Sequence, residues 1–234
     1  MSKWIIGSAR GDERGRASGG AAGDQKQRDL WDFRGEVSLE EYYTHPKGWV
    51  VLRAKKDAHA NRIADAMCRA CLNEKIGYDQ SNRLGIIKHG INTTTKTECD
   101  CSSLVRQCVR EGTGFDPGNF TTWNEVNVLM STGLFDRIDY HWWVRLKTGD
   151  ILVTKTKGHT VVVVVGDPRA VIYPKYTGNS PSIVVALRAV GEMDITFTNR
   201  ARIAQANGIR DYTGTAAQNT EMVNRLKAGT LIKP

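Results

Sequence analysis

The chain has 234 residues, 40% hydrophobic and 25% charged, with a formal net charge of +8. Such a chain is typical of a protein with one sizeable core, and the composition excludes collagen, a coiled coil and wholesale disorder. No apolar run approaches the roughly 18 residues of a membrane span, and the N-terminus lacks the apolar stretch of a signal peptide. We therefore expect a protein that is made in the cytoplasm and has no membrane span.

The first half of the chain predicts a glycine-rich loop followed by helices. A short strand at 4–6 leads into this loop, which continues to about residue 30 and lacks the Gly-Lys-Ser/Thr ending of a phosphate-binding loop. It is either a plain surface loop or one that lines a site. Apolar residues at helical spacing predict a helix at 57–74 with Asp57 as N-cap, and another at 101–111. Thr122 and Glu125 have capping-box spacing, which predicts a third helix at 122–131.

The second half changes to short β-branched segments after Gly149. Segments 150–154, 160–165, 171–173 and 182–187 predict antiparallel strands. Segment 160–165 is apolar on both faces, which is typical of a central strand. Helices are predicted at 198–207 and 215–226, with Gly229 ending the last. The order, helices first and sheet second, favours an α+β fold.

The five cysteines do not predict a disulfide framework, because their number is odd and no signal peptide precedes them. Cys68 and Cys71 form a C-x-x-C pair, but no second pair completes a zinc site, so both are expected in the core. Cys108 is likewise a predicted core residue. We predict no metal ligand and no cofactor.

Cys101 differs from the other cysteines because it opens a predicted helix. The positive end of a helix dipole lowers the pKa of a thiol, so Cys101 is the candidate nucleophile. A thiol nucleophile needs a base, and His159 begins a predicted strand directly after Gly158. From position alone, a strand-edge histidine without a catalytic role is the favoured interpretation.

Several separated motifs resemble the NlpC/P60 family of cell-wall cysteine peptidases. They are Asp100-Cys101-Ser102-Ser103-Leu104-Val105, Gly149-Asp150-Ile151 and Gly158-His159-Thr160-Val161. Further segments, at 7–10, 22–25, 47–49, 76–80 and 146–159, resemble a subgroup from phage endolysins and prophages. Ser103 and Thr160 stand where the family commonly has glycine and valine, and in both positions the chain resembles this subgroup.

The resemblance implies a papain-like domain in which Cys101 attacks an amide carbonyl and His159 is its base. Tyr78 is expected near the nucleophile, and Gln80 as a donor to the oxyanion. Asp100 and Ser102 flank the nucleophile and are expected to help bind the substrate. The third catalytic residue is predicted as Asp167, with Tyr173 as the alternative; Asp167 before Pro168 is equally interpretable as a turn residue.

These expectations define residues 1–195 as a catalytic domain and residues 196–234 as a short helical region. The segments 203–209 and 226–234 faintly resemble part of a LysM wall-binding repeat, and a structural helical cap is the alternative. The basic charge alone allows either nucleic acid or an anionic bacterial wall as partner. With the resemblance, we expect peptidoglycan and anionic wall polymers, and no nucleic acid.

The predicted function is a phage endolysin-like peptidoglycan hydrolase, an endopeptidase or N-acetylmuramoyl-L-alanine amidase, that reaches the wall after release from the bacterial host cytoplasm. Two alternatives stay open. A papain-like acyltransferase or deamidase would use the same Cys–His pair, and a non-catalytic wall-binding module would need neither residue.

Overall fold

The computed structural model describes residues 4–25, 35–165, 173–207, 209 and 211–233. The chain divides into two compact units, one within residues 3–166 and one within residues 167–234. The predicted catalytic domain of residues 1–195 extends past this division, and the assignment of residues 167–195 to it stays a prediction. None of the described helices is long and apolar enough to cross a bilayer.

The larger unit is built of strands and helices that alternate along the chain. In order they are β1 (Ile5–Ala9), β2 (Val37–Glu41), β3 (Trp49–Ala54), α1 (Asp57–Leu72), β4 (Ile76–Tyr78), α2 (Gly85–His89), β5 (Thr97–Cys99), α3 (Cys101–Thr113), α4 (Glu125–Ser131), β6 (Phe135–Asp139), β7 (Ile151–Thr154) and β8 (Thr160–Val165).

Six of these strands form one antiparallel sheet in the order β2-β1-β8-β7-β3-β6. Strand β8 lies inside the sheet, and all six of its residues are buried, so the predicted central strand is confirmed. Val161 and Val163 pack with Trp49 and Leu152 in one apolar cluster. Because side chains alternate along a strand, Val162 and Val164 face the opposite side of the sheet.

Helices α1 and α3 pack against each other and against strands β1 and β8. Two glycines allow the close approach. A Cβ at Gly7 in β1 would lie 2.6 Å from Met67 Cγ of α1, and one at Gly112 in α3 would lie 2.8 Å from the Ile63 backbone nitrogen. Cys68, Cys71 and Cys108 are fully buried, which confirms them as core residues.

A second, parallel pair of strands, β4 and β5, leads into the helix that carries Cys101. Tyr78 at the end of β4 lies opposite Cys99 at the end of β5. The amide of Asp79 donates to the carbonyl of Cys99 at 3.1 Å, which extends the pairing by one residue. The pair therefore holds Tyr78 and the residues that follow it close to the start of α3.

The smaller unit contains α5 (Ile183–Ala189), α6 (Phe197–Ala206) and α7 (Ala216–Ala228). Asn207 after α6 donates to the carbonyl of Ile232 and accepts from its amide, both at 2.9 Å. Helix α7 begins with a capping box of Thr215 and Gln218, and Gly229 ends it with a φ of +73°, as predicted. These contacts fasten the last residues to the helices, while wall binding by this region stays a prediction.

The fold is α+β as expected, but four sequence-based predictions are wrong. The N-cap of α1 is Lys56, and Asp57, predicted as the N-cap, is the first residue of the helix. Three strands precede the first helix, so the chain does not run from helices to sheet. Segment 182–187 is helical, because Ile183, Ala186 and Leu187 bury one helix face and leave Val185 exposed. The Thr122–Glu125 capping box does not form: α4 begins at Glu125, after Asn124. Of the predicted strand at 171–173, residues 171 and 172 lie outside the described residues.

Candidate active site

Cys101 is the first residue of α3, directly after its N-cap. The cap is a reciprocal box: Asp100 Oδ1 accepts from the Ser103 amide at 2.7 Å, and Ser103 Oγ accepts from the Asp100 amide at 2.9 Å. Ser103 is therefore the residue that completes the cap at this position. Because the first N–H groups of a helix have no intrahelical partner, the amide of Cys101 is a donor suited to an oxyanion.

Asp100 is tied to the body of the domain as well as to its helix. Its second oxygen, Oδ2, accepts from Arg83 Nε at 2.6 Å. Arg83 also donates to Asn119 Oδ1 at 2.8 Å and to the carbonyl of Phe120. The expected substrate-contacting residue Asp100 thus has both oxygens engaged in fixing the start of α3. Ser102 is 1% exposed, with its Oγ 4.0 Å from Cys101 Sγ.

His159 follows a hairpin turn whose backbone demands glycine. Lys157 has a φ of +66° and Gly158 a φ of +116°, and the Gly158 amide donates to Thr122 Oγ1 at 3.1 Å. Thr154 Oγ1 accepts from the His159 amide, and the Thr154 amide donates to the His159 carbonyl. The turn and these bonds fix the backbone of His159 at the start of β8.

The Gly149–Asp150 motif at the start of β7 has a structural role. A Cβ at Gly149 would lie 2.2 Å from the carbonyl oxygen of Ala60, so only glycine fits against α1. Asp150 is 1% exposed and accepts two bonds from Arg53, at 2.8 Å and 2.7 Å. The motif therefore anchors the hairpin that carries His159.

The structure brings the start of α3 and the start of β8 together. The backbone N–H of Thr160, the residue after His159, lies close enough to Cys101 Sγ to favour its thiolate form. Burial raises the pKa of the Cys101 thiol to about 12, and the charges of Asp100 and Glu125 act in the same direction. The expected lowering of this pKa by the helix dipole is therefore wrong for the resting protein, because desolvation outweighs it.

His159 is shifted in the complementary direction. Burial lowers the pKa of His159 to about 4, and the positive charges of Arg10 and His45 contribute. The two groups are consequently a neutral thiol and a neutral imidazole at pH 7. A neutral imidazole can accept a proton, so His159 is in the protonation state that a general base requires.

Tyr78 lies opposite Cys99, two residues before the nucleophile, and is 4% exposed. Burial raises its pKa to about 12, although the hydrogen bond from Gln80 acts in the opposite direction. The side-chain Nε2 of Gln80 donates to the Tyr78 hydroxyl at 3.1 Å, and the backbone N–H of Gln80 donates to the Ala17 carbonyl. The two residues predicted to bind the substrate or oxyanion thus form one hydrogen-bonded pair beside the nucleophile.

Two further side chains lie at the site and were not predicted as site residues from the sequence. Ser8 of β1 is buried, and its Oγ lies 3.5 Å from His159 Nε2. Glu125 is fully buried and accepts from Thr160 Oγ1 at 2.7 Å, while its Oε2 has no partner among the described residues. Burial raises the pKa of Glu125 to about 8, so its side chain is neutral at pH 7.

The predicted third catalytic residue, Asp167, lies outside the described residues. The alternative, Tyr173, belongs to the smaller unit, where its hydroxyl donates to Glu192 Oε2 at 2.6 Å. The catalytic roles of Asp167 and of Tyr173 stay predictions. Within the larger unit, Ser8 contacts Nε2 of the candidate base, at 3.5 Å.

Basic and aromatic side chains surround the His159 side of the site. Arg10 lies over the ring of Tyr43 at 5.2 Å and lowers the pKa of both His45 and His159. An open groove near the hairpin is lined by Trp123, Lys155 and Lys157, and the Lys157 ammonium lies 3.4 Å from the centre of the Trp123 ring. This chemistry suits an anionic ligand with apolar or sugar faces.

The fold and the site define an α+β domain that presents a helix-start cysteine beside a strand histidine. A model of the endolysin-like domain family matches residues 6–170, more than half of the chain, and the chain belongs to this family. It is also similar to the L-alanyl-D-glutamate peptidase of Listeria phage A118, with 45% identity over 40 residues. That stretch is 17% of this chain and only 14% of the relative. No solved structure matches the chain significantly.

Proposed function

We propose that this protein is a peptidoglycan hydrolase of the endolysin type, which cleaves an amide bond of the stem peptide with Cys101 as nucleophile. The observation that supports the proposal is the junction of α3 and β8, where Thr160, the residue after His159, lies beside the sulfur of a helix-start cysteine and favours its thiolate form. The family supports the endolysin assignment, and the name of the phage relative supports a peptidase. The papain-like fold and the NlpC/P60 subtype are parts of the same proposal.

The reaction begins from the neutral pair. Cys101 Sγ attacks the amide carbonyl while His159 accepts the thiol proton, and the carbonyl oxygen becomes an oxyanion near the Cys101 amide. When the tetrahedral intermediate collapses, the C–N bond breaks and His159 gives the proton to the leaving amine. Water, activated by His159, then hydrolyses the thioester and restores the thiol.

The surroundings of the pair support a peptidoglycan stem peptide as substrate. Stem peptides carry free carboxylates, and the lysines of the groove are placed to attract them. Tyr78, supported by Gln80, is a side chain that would orient the substrate carbonyl at the nucleophile. Asp100 and Ser103 contribute by holding the helix start that presents the Cys101 amide.

The test compares Cys101→Ala with Cys108→Ala on purified bacterial walls. Cys108 is a buried thiol of the same helix, two turns from the site, and is therefore the matched control. We expect Cys101→Ala to lower the rate of wall clearing by roughly three orders of magnitude or more, with an unchanged thermal midpoint. Cys108→Ala should clear walls at near the wild-type rate per folded molecule.

Mass spectrometry of the released fragments identifies the reaction. New amine and carboxyl ends within the stem peptide support an endopeptidase, whereas a freed lactyl carboxyl on the sugar identifies an amidase. Transfer of the acyl group to another amine identifies an acyltransferase. If Cys101→Ala cleared walls at the wild-type rate, the assignment of Cys101 as the nucleophile would be wrong.

A further inference from the structure

Three carboxylates that are distant in sequence converge beside strand β4. Glu13 and Asp24 come from the glycine-rich segment, and Glu36 directly precedes β2. Each offers an oxygen that lies within 4.8 Å of an oxygen from the other two. The side chain of Glu36 is buried, with 4% exposure of the residue. The group lies in the larger unit and includes neither Cys101 nor His159.

One oxygen of each carboxylate lacks a hydrogen-bond partner outside the group. Glu36 Oε1, Asp24 Oδ1 and Glu13 Oε2 are buried atoms without such a partner among the residues that the structure describes. The Arg14 guanidinium contacts Glu13 Oε1 at 3.2 Å, and its side chain is 58% exposed. Glu36 is buried and the other two residues are partly buried, so ionised carboxylates at this separation repel one another unless protons or a cation offset the repulsion.

The backbone around the group leaves room for these oxygens. A Cβ at Gly77 would lie 2.9 Å from Glu36 Oε2, 3.1 Å from the Gly23 nitrogen and 3.5 Å from the Ala21 carbonyl oxygen. A side chain at position 77 would therefore displace Glu36. The Ala21 carbonyl is a further hard oxygen on the same side of Gly77.

We propose that Glu13, Asp24 and Glu36 bind one calcium ion. The donors are all oxygens, three of them carboxylate, and they come from an irregular loop rather than from rigid elements. Ca²⁺ accepts six to eight such ligands in flexible geometry, whereas Mg²⁺ demands a near-ideal octahedron and Zn²⁺ prefers nitrogen and sulfur. Water and backbone carbonyls would complete the coordination.

The bound ion would stiffen the wall of the active site without taking part in the reaction. Glu36 Oε2 accepts the backbone N–H of Tyr78 at 2.7 Å, and Tyr78 lies opposite Cys99, two residues before Cys101. Gln25, next to Asp24, donates to the carbonyls of Val37 and Cys71 and accepts from the Glu36 amide. A cation here would thus join the glycine-rich segment, β2 and β4.

Thermal unfolding and calorimetry of the full chain test the site independently of any wall-lytic activity. After EGTA treatment, added CaCl₂ at about a hundred times its Kd should raise the Tm by roughly 5 °C or more, with one ion bound per chain. MgCl₂ at the same concentration should raise the Tm by much less. No calcium-dependent rise and no binding heat, or an equal rise with magnesium, would overturn the proposal.

The variants Glu36→Gln and Asp24→Asn locate the ion. Both should lose the calcium-dependent rise, while Glu74→Gln, which removes an exposed carboxylate between α1 and β4, should keep it. In EGTA, Glu36→Gln should unfold at or above the wild-type temperature, because it removes repulsion, so loss of the rise is not a folding defect. A full calcium response in Glu36→Gln and Asp24→Asn would place the ion elsewhere and contradict the proposal.

Discussion

Ser8 is the residue whose hydroxyl contacts Nε2 of His159, at 3.5 Å. That distance is at the long end of hydrogen bonding, and the bond would shorten when His159 becomes charged in the reaction. Ser8→Ala removes it, and we expect a loss of about 1 kcal/mol, or about fivefold in kcat, with little change in KM. Steady-state kinetics on a soluble stem-peptide fragment measures kcat and KM separately.

Ser38→Ala is the control for Ser8→Ala. Ser38 is also a buried serine and lies directly opposite Ser8 in the pairing of β1 with β2. Its substitution should leave kcat near the wild-type value. Equal losses in both variants would mean that Ser8 supports the sheet and does not position His159.

Glu125 couples stability to pH because burial raises its pKa from 4.5 to about 8. Between these values the folded protein holds a proton that the unfolded chain has released. Its contribution to stability is therefore complete below pH 4.5 and is lost as the pH rises to 8. Glu125→Gln cannot ionise, so between pH 5 and pH 8 its free energy of unfolding should rise by roughly 3 kcal/mol relative to wild type.

Chemical denaturation of both proteins at several pH values measures that difference. The same variant reports on the nucleophile, since ionised Glu125 raises the pKa of Cys101. Above pH 8, Glu125→Gln should therefore be alkylated by iodoacetamide faster than wild type at Cys101. An identical pH dependence of stability in the two proteins would mean that Glu125 is already ionised in the fold.

The sequence could point to Cys101 because a helix start is a local feature. It could not point to Ser8 or Glu125, which come from strand β1 and helix α4 and meet the site only through tertiary structure. The direction of the thiol pKa was also beyond the sequence, because it depends on how completely the surrounding chain excludes water. The sequence also did not indicate the cluster of Glu13, Asp24 and Glu36, because these residues meet only through tertiary structure.

Among the elements, the β7–β8 hairpin has the most direct influence on the candidate base. Gly158 has a φ of +116°, and a Cβ there would meet only the flexible end of Lys47, so the obstacle to a side chain is the backbone itself. Gly158→Ala should cost about 1 kcal/mol of stability and shift His159. We expect wall clearing to fall by about tenfold to a hundredfold per folded molecule.

Gly191→Ala is the matched control for the hairpin. Gly191 has a φ of +87° with nothing within 4 Å of an added Cβ, and it belongs to the smaller unit. It should lose a similar amount of stability and keep the wild-type rate. If wall clearing by Gly158→Ala equals that of Gly191→Ala, the hairpin does not set the position of His159.

The elements were predictable where one periodicity dominates. Helices α1, α3 and α7 and strands β7 and β8 fall close to their expected ranges. Strands β4 and β5 were missed because each has three residues, too few to show an alternation, and each is defined by its partner. Segment 182–187 was predicted as a strand from its valines and isoleucine, although the spacing of its buried residues is helical.

For the whole molecule, the net charge of +8 is the property most relevant to an insoluble anionic substrate. Part of this charge lies near the site, on Lys155 and Lys157 of the open groove. Attraction between such a surface and wall polymers acts over the Debye length, which shrinks from about 10 Å at 0.1 M salt to about 3 Å at 1 M. Binding to walls should therefore weaken with salt.

We expect the fraction of protein that sediments with purified walls to fall by at least about fivefold between 0.1 M and 1 M NaCl, measured with Cys101→Ala so that the walls stay intact. Cleavage of a small soluble stem-peptide fragment by the wild type should change much less, because it depends on the short-range contacts of the site. This difference separates attraction to the wall from chemistry at the thiol. Salt-independent sedimentation would show that the wall is held by apolar or hydrogen-bonded contacts instead of by the basic surface.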